Sequence, residues 1–525
     1  MNTVSLRDQA EAAVFELDSF GQGRHIKETK SLCPQCLDKI PAQVYARDGQ
    51  VWMDKRCPEH GPYSALLAAD ERHYYERPIS TRSDSGPSCC GPSSCCGPSS
   101  NTISNPISNP ISNPISNPTS DSNQSAEFSV ASVGNPVTNH SCNILLEITE
   151  RCNLTCPTCY AGSSPYLSKM MGLEDFSRKV DALVAMGKSD TDVIQLSGGE
   201  PTVHPQLFTM LQILRDKGFL RVCINSNGIK LASAEFVERL AAIDGLQLSF
   251  YLQFDGFDDA THEQLRGRGD LLKTKEKALQ HLLSHGFQVH PVMTLTRGVN
   301  DHEVGRFIQL ALDYPQIKDV IIQPAMYSGR YENPRRIDRL TLADTVELIT
   351  QQSDVFSAED FGPIPCSDPN CFGMAMALRS ETGIIPVSRF FPQYQQWQDD
   401  NNKGLIDSVS DTINAPSAMA EIIRWASTQS DAMRWLEQLS ESEVEQLLDL
   451  LLQWNQTPEQ GRKALWDRLL MVNIKPFMDA YTYDQDRIDQ CCVHILSPEG
   501  EPISFCEYNA VQRPLMMAAE GSLAR

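Results

Sequence analysis

Three cysteines, Cys152, Cys156 and Cys159, fall at a C-x3-C-x2-C spacing just after the apolar run Ile144-Leu145-Leu146-Glu147-Ile148. The run reads as a strand, and the cysteines as the loop beyond its C-terminal end. Thiolates on such a loop can each hold one iron of a cuboidal iron–sulfur cluster. Three ligands for four irons leave one iron open to a substrate or cofactor. The competing reading is a structural zinc loop, but zinc prefers four ligands, usually in two paired knuckles.

Two further motifs stand at strand ends. Ser197-Gly198-Gly199-Glu200-Pro201-Thr202 follows a second strand. Its glycines let backbone approach a ligand closely, and Glu200 can accept from an ammonium group. Asn225-Ser226-Asn227-Gly228 follows a third strand. Together with the cysteines, these motifs resemble the radical S-adenosylmethionine (SAM) enzymes. The resemblance implies that a [4Fe-4S] cluster on Cys152, Cys156 and Cys159 chelates SAM through its open iron and cleaves it to a 5′-deoxyadenosyl radical. It also implies that Gly198, Gly199 and Glu200 hold the SAM amino group, and that Ser226 and Asn227 lie near its ribose. The chain departs from the pattern at Thr158, where the family usually has an aromatic residue; Tyr160 follows the third cysteine instead.

The elements that must position these residues alternate strand and helix from His140 onward. Strands are expected over Asn143–Thr149, Asp192–Leu196, Phe219–Ile224, Leu246–Phe254, Gln288–Leu295 and Val320–Gln323, with helices between them. This alternation predicts the α/β class: a parallel sheet curled into a partial (β/α)6 barrel, with chemistry at the C-terminal strand ends. Asp255, at the fourth strand end, reads as a helix cap or a ligand contact, and Cys142 and Cys223 as small buried residues.

Other cysteines form separate groups. Cys33-Pro34-Gln35-Cys36 and Cys57-Pro58-Glu59-His60 flank Ala42–Met53, a hairpin with an Asp-Gly turn. Cys33, Cys36, Cys57 and His60 can hold one tetrahedral zinc or iron, as a metal-ribbon over residues 1–80. Residues 81–139 are rich in Ser, Asn, Pro and Gly, with Ile-Ser-Asn-Pro in tandem from Ile103 to Pro118. They read as a disordered tether, and the paired Cys89-Cys90 and Cys95-Cys96 as part of that low-complexity stretch. The barrel would occupy 140–334. Residues 335–525 read as a helical domain, with helical periodicity over Thr341–Gln352, Pro416–Trp425, Ser430–Trp454 and Pro458–Leu470. That domain carries Cys366, Cys371, Cys491, Cys492 and Cys506, with a hairpin turn between the last two, and could ligate one or two accessory Fe–S clusters or a zinc.

The Cys33–Cys36, Cys57–His60, Cys366–Cys371 and Cys492–Cys506 segments together resemble the tetraether lipid synthase family, some of whose members are pterin-modifying radical methyltransferases. The resemblance implies hydrogen abstraction from unactivated carbon and carbon–carbon bond formation, coupling lipid tails. The alternatives are methyl transfer to a pterin-like substrate, a peptide-modifying radical enzyme, and a non-enzymatic metal or Fe–S carrier. An external electron donor such as flavodoxin or ferredoxin is implied as well. The 525 residues carry a net charge of -22, which argues against nucleic acid as a partner. The first residues do not read as a signal peptide, and no apolar stretch is long enough to span a bilayer. With 17 cysteines in short-spaced groups, a reducing cytoplasm and metal ligation are expected rather than disulfides.

Overall fold

The computed structural model describes residues 19–75, 141–188, 193–331, 339–364, 367–379, 383–386, 388, 467–497 and 499–519. The N-terminal segment, the 81–139 tether, Cys366, the helices expected over Pro416–Trp425 and Ser430–Trp454, and the Pro458–Leu470 stretch before Asp467 lie outside the described residues.

Four strands, β1 (Arg24–Leu32), β2 (Lys39–Arg47), β3 (Gln50–Cys57) and β4 (Gly61–Ala68), form an antiparallel sheet in chain order. The β2–β3 hairpin turns on Asp48 and Gly49, at φ 52° and 74°, the left-handed pair that a tight hairpin needs. Only a small core, including Val44, Val51 and Met53, lies beneath this sheet.

The second sheet is built from β5 (Asn143–Thr149), α1 (Leu173–Ala185), β6 (Val193–Gly198), α2 (Leu207–Asp216), β7 (Arg221–Ser226), α3 (Ala234–Ala241) and β8 (Gln247–Gln253). It continues with α4 (Asp259–Arg266), α5 (Leu272–Ser284), β9 (Gln288–Leu295), α6 (Val304–Asp313), β10 (Asp319–Pro324) and α7 (Leu342–Gln352). Strands β5 to β10 pair in parallel, each with the next. Each expected strand of the barrel is present, with ends shifted by a residue or two. Helix α1 buries Phe176, Val180 and Leu183, one face of a 3.6-residue repeat, against the sheet. Asp258 caps α4 by accepting from the Thr261 amide at 2.7 Å.

Along β7 and β8 the two faces differ in polarity. Val222, Ile224, Leu248, Phe250 and Leu252 join the core under the helices, whereas Asn225, Tyr251 and Gln253 line the lumen.

The C-terminal region, expected to be helical, also supplies strands: β11 (Gly373–Arg379), β12 (Ile384–Pro386), β13 (Leu469–Ile474), β14 (Val493–Leu496) and β15 (Pro502–Ser504). Leu469 and Leu470, expected at a helix end, begin β13, where Leu470, Val472 and Ile474 are fully buried on one face. Strand β13 pairs in parallel with β10 and β14 in parallel with β5, so the sheet reads β12-β11-β13-β10-β9-β8-β7-β6-β5-β14-β15. Residues 475–492, with α8 (Gln485–Asp489), run from one flank of the curled sheet to the other, and the N-terminal sheet grips this strap. The buried Lys55 ammonium donates to Ser31 Oγ and to the Ala480 and Tyr481 carbonyls, each at 2.8 Å. Lys27 pairs with Asp484 at 2.8 Å and Asp486 at 2.9 Å. Among the described residues, no helix is long and apolar enough to cross a membrane.

Candidate active site

The loop after β5 and the turns after β6 and β7 meet in one cavity. Cys152, Cys156, Cys159, Gly198, Gly199, Glu200, Ser226 and Asn227 all line it, beside Arg266. No other cysteine lines this cavity among the described residues, so its thiol set is three. Two N–H groups point at the Cys152 sulfur: Leu154 N at 3.4 Å and Asn227 Nδ2 at 3.8 Å. Such donors favour a thiolate bound to metal. Burial, and then the charge of Glu200, pushes the Cys152 thiol up to about 12. Burial raises Cys156 too, although Arg266 opposes it. Loading a cluster here therefore releases protons. The donor set fits an iron–sulfur cluster with one open iron.

The two glycines serve the chain itself. A Cβ on Gly198 would stand 2.2 Å from the Thr149 carbonyl oxygen, and one on Gly199 would stand 2.2 Å from that of Arg151. Gly199 N donates to Thr149 O at 2.7 Å and Glu200 N to Arg151 O at 3.0 Å, so the β6 end is zipped onto the backbone entering Cys152. The Glu200 carboxylate is buried yet well supplied with donors. Thr202 N at 3.2 Å, Thr202 Oγ1 at 2.5 Å and Ser226 Oγ at 2.9 Å donate to Oε1, and Asn227 N donates to Oε2 at 2.7 Å. Burial raises the Glu200 pKa, and these bonds work against that rise. Oε2 retains lone-pair capacity for one more donor, the role an ammonium group would fill.

Other residues escaped the sequence reading. Arg330, after β10, braces the cysteine loop: Nε donates to Cys156 O at 3.0 Å, Nη1 to Gly162 O at 2.8 Å and Nη2 to Ser163 O at 2.5 Å. Asp255, expected as a helix cap or a ligand contact, caps no helix among the described residues and does not line the cavity. It is fully buried and takes both Arg266 Nε, at 2.6 Å, and Arg266 Nη2. Burial opposes its charge, but Arg266 holds the carboxyl well below the usual carboxylate range. The pair fixes a guanidinium beside Cys156. The cavity wall also carries the amide side chains Asn143, Gln195, Asn225, Gln253 and Gln323, with Thr294, Tyr251 and Lys475, beside the apolar Leu145, Val292, Met326, Phe477, Val493 and Phe505. A period-2 polar pattern in Gln247–Gln253 was the signal that could have found this wall.

The N-terminal ligand set closes tightly. The ligand atoms of Cys33, Cys36, Cys57 and His60 lie within 4.8 Å of one another. Cys36 and Cys57 sulfurs are 3.9 Å apart, and His60 Nδ1 is 3.5 Å from Cys33 Sγ and 3.4 Å from Cys57 Sγ. Zn–S bonds of about 2.3 Å in a tetrahedron require sulfur separations of this size. The residues thus fit one zinc.

Cys371, Cys491 and Cys506 interact electrostatically with one another around Arg487. Arg487 Nε reaches Cys371 Sγ at 3.3 Å, and the Met478 amide reaches Cys506 Sγ at 3.4 Å. Burial pushes the Cys371 thiol up to about 12 against the pull of Arg487. Cys492, buried at the start of β14, accepts through its carbonyl from Cys142 N at 2.9 Å and Asn143 N at 3.2 Å. Cys223 is buried, as expected.

With this geometry in hand, comparison with known proteins gives two family matches. Residues 146–311 match the family model of the radical SAM superfamily, and residues 25–69 match that of the HMPTM N-terminal zinc ribbon domain. The 7,8-dihydro-6-hydroxymethylpterin dimethyltransferase of Methanocaldococcus jannaschii is 29% identical over 533 aligned positions, covering 93% of this chain and 94% of the relative. The GTP 3′,8-cyclase of Chlorobaculum tepidum is 28% identical over 222 positions, covering 40% of this chain and 64% of the relative. Among solved structures, Streptococcus suis SuiB bound to the precursor peptide SuiA is similar at 15% identity and a TM-score of 0.34, over 41% of this chain and 45% of that one.

Proposed function

Since the chain is a radical SAM enzyme, we propose that it methylates a pterin-like heterocycle held in the barrel lumen. The observation that carries this reading is the inner wall. The cavity that holds the three cysteines continues into side chains that hydrogen-bond, Asn143, Gln195, Asn225, Gln253 and Gln323 among them. Most of these amides already bond one another, but Asn143 Oδ1 has no hydrogen bond among the described residues, and a lipid tail would leave it so at a cost of about 1–3 kcal/mol. A flat nitrogen heterocycle offers donors and acceptors at its edge and a face for Tyr160, Tyr251, Phe477 or Phe505, which line the same space. The long similarity to the pterin dimethyltransferase agrees with this choice over lipid coupling.

In this reading Cys152, Cys156 and Cys159 hold the catalytic cluster. Glu200 orients the SAM amino group, Gly198 and Gly199 bring the β6 turn against the cysteine loop, and Ser226 and Asn227 border the nucleoside. With both groups bound, the cluster would supply the electron that cleaves one SAM and with it the hydrogen-abstracting power, a second SAM would supply the methyl group and leave as S-adenosylhomocysteine, and the external donor would supply the remaining electron. The protein's own residues orient and seal. Arg266, held by its ion pair with Asp255, fixes a guanidinium beside Cys156, and Arg330 holds the loop carbonyls. Cys33, Cys36, Cys57 and His60 hold a structural zinc. Cys371, Cys491 and Cys506, with Cys366, ligate one accessory cluster, and Cys492 serves the β14 edge. A flavodoxin or ferredoxin would supply electrons in a reducing cytoplasm.

The test is substrate dependence of SAM cleavage. Anaerobically reconstituted enzyme should form 5′-deoxyadenosine faster with 6-hydroxymethyl-7,8-dihydropterin than without it, and should not respond to a total lipid extract. Stimulation by the lipid extract alone would overturn the reading.

A further inference from the structure

One buried acceptor in the lumen lacks a partner. Asn143 lines the cavity, and among the described residues its Oδ1 is buried with no hydrogen bond. Its other atom is committed: Asn143 Nδ2 donates to Gln195 Oε1 at 2.5 Å. Gln195 Nε2 in turn donates to Asn225 Oδ1, and Asn225 Nδ2 donates to Ser197 Oγ at 3.1 Å. Three amides on three adjacent strands thus form a one-way ladder. Flipping Gln195 alone would set N–H against N–H at Asn143 and oxygen against oxygen at Asn225, so each amide holds its neighbours' orientation. The free end is the carbonyl of Asn143.

A buried carbonyl without a donor is uncommon in a folded protein unless something supplies the donor. The ladder also rigidifies that carbonyl, because Asn143 cannot turn without breaking its bond to Gln195. We propose that Asn143 is a specificity-determining residue that accepts the lactam N–H of a planar heterocycle entering the lumen, with Gln195 and Asn225 as positioning residues. This deepens the pterin-class reading above and rests on it. A pterin ring carries such an N–H beside its ring carbonyl, whereas an acyl chain carries no donor at all.

The experiment measures affinity of the anaerobic, cluster-loaded full chain for two probes, 6-hydroxymethyl-7,8-dihydropterin and its N3-methyl analogue, which lacks the lactam N–H. Wild type should prefer the unmethylated probe by about tenfold or more, the value of one well-placed hydrogen bond. Asn143→Ala should bind both probes alike, and Asn143→Ser, a shorter side chain with an oxygen, should fall between. The cluster's visible absorption reports folding; should the Ala variant lack it, the Ser variant carries the comparison. If the folded variants discriminate as well as wild type does, the Asn143 proposal is overturned while the pterin reading stands. If wild type binds neither probe, both fall.

Discussion

The Glu200 carboxylate accepts from the Asn227 backbone amide at 2.7 Å, and this bond ties the turn after β6 to the turn after β7. Two motifs read separately in the sequence are therefore one unit, with Ser226 adding a second link at 2.9 Å. Replacing Glu200 with Gln puts an NH2 among donors. Glu200→Gln should weaken SAM binding and also lower unfolding stability by about 1–3 kcal/mol. Binding and thermal melts of the same preparation check this; loss of SAM affinity with an unchanged melt would show that Glu200 faces the ligand alone.

Arg330 should matter for the cluster although it carries no ligand atom. Its three side-chain bonds hold carbonyls at Cys156, Gly162 and Ser163. Arg330→Ala forfeits bracing on the order of 3 kcal/mol. Iron content after reconstitution and gel filtration should drop, and the remaining cluster should bleach faster under a chelator. Wild-type iron content and bleaching rate would contradict the role.

The zinc ribbon should stabilise the strap over residues 475–492, since Lys55 and Lys27 reach it directly. Structural zinc contributes on the order of 10 kcal/mol to small ribbons. Cys57→Ser should therefore raise hydrogen exchange in the strap as well as in the ribbon. Exchange confined to the ribbon would separate the two.

His262 predicts an acid sensitivity. It is fully buried, and among the described residues neither ring nitrogen has a hydrogen bond. Burial, and then the nearby Lys275 charge, lowers its pKa from 6.5 to about 4. The unfolded chain thus takes up a proton as pH falls through 6.5, while the folded chain does not until about 4. Stability must decline across that window. His262→Leu should flatten the decline in denaturant melts at stepped pH; an unchanged slope would refute the contribution.

What the sequence made legible was short-range. The cysteine spacing, Gly198-Gly199-Glu200 and the hairpin turn at Asp48-Gly49 each lie within a few residues, and the strand–helix alternation is a local pattern. The strand at Leu469–Ile474 was less legible, because a short apolar run fits a buried strand or a helix equally. Arg330 on the cysteine loop, Asp255 with Arg266, and the ladder from Asn143 to Asn225 join residues that only the curled sheet brings together. The polar lumen was half visible: Gln247–Gln253 alternates, but which face pointed inward depended on the helices outside.

The most direct test of the account is the product. Incubating the reconstituted enzyme anaerobically with SAM, a one-electron reductant and 6-hydroxymethyl-7,8-dihydropterin, then analysing by mass spectrometry, should reveal a pterin enlarged by one or two CH2 units. Unaltered pterin, with coupled acyl chains appearing from an added lipid extract, would contradict it.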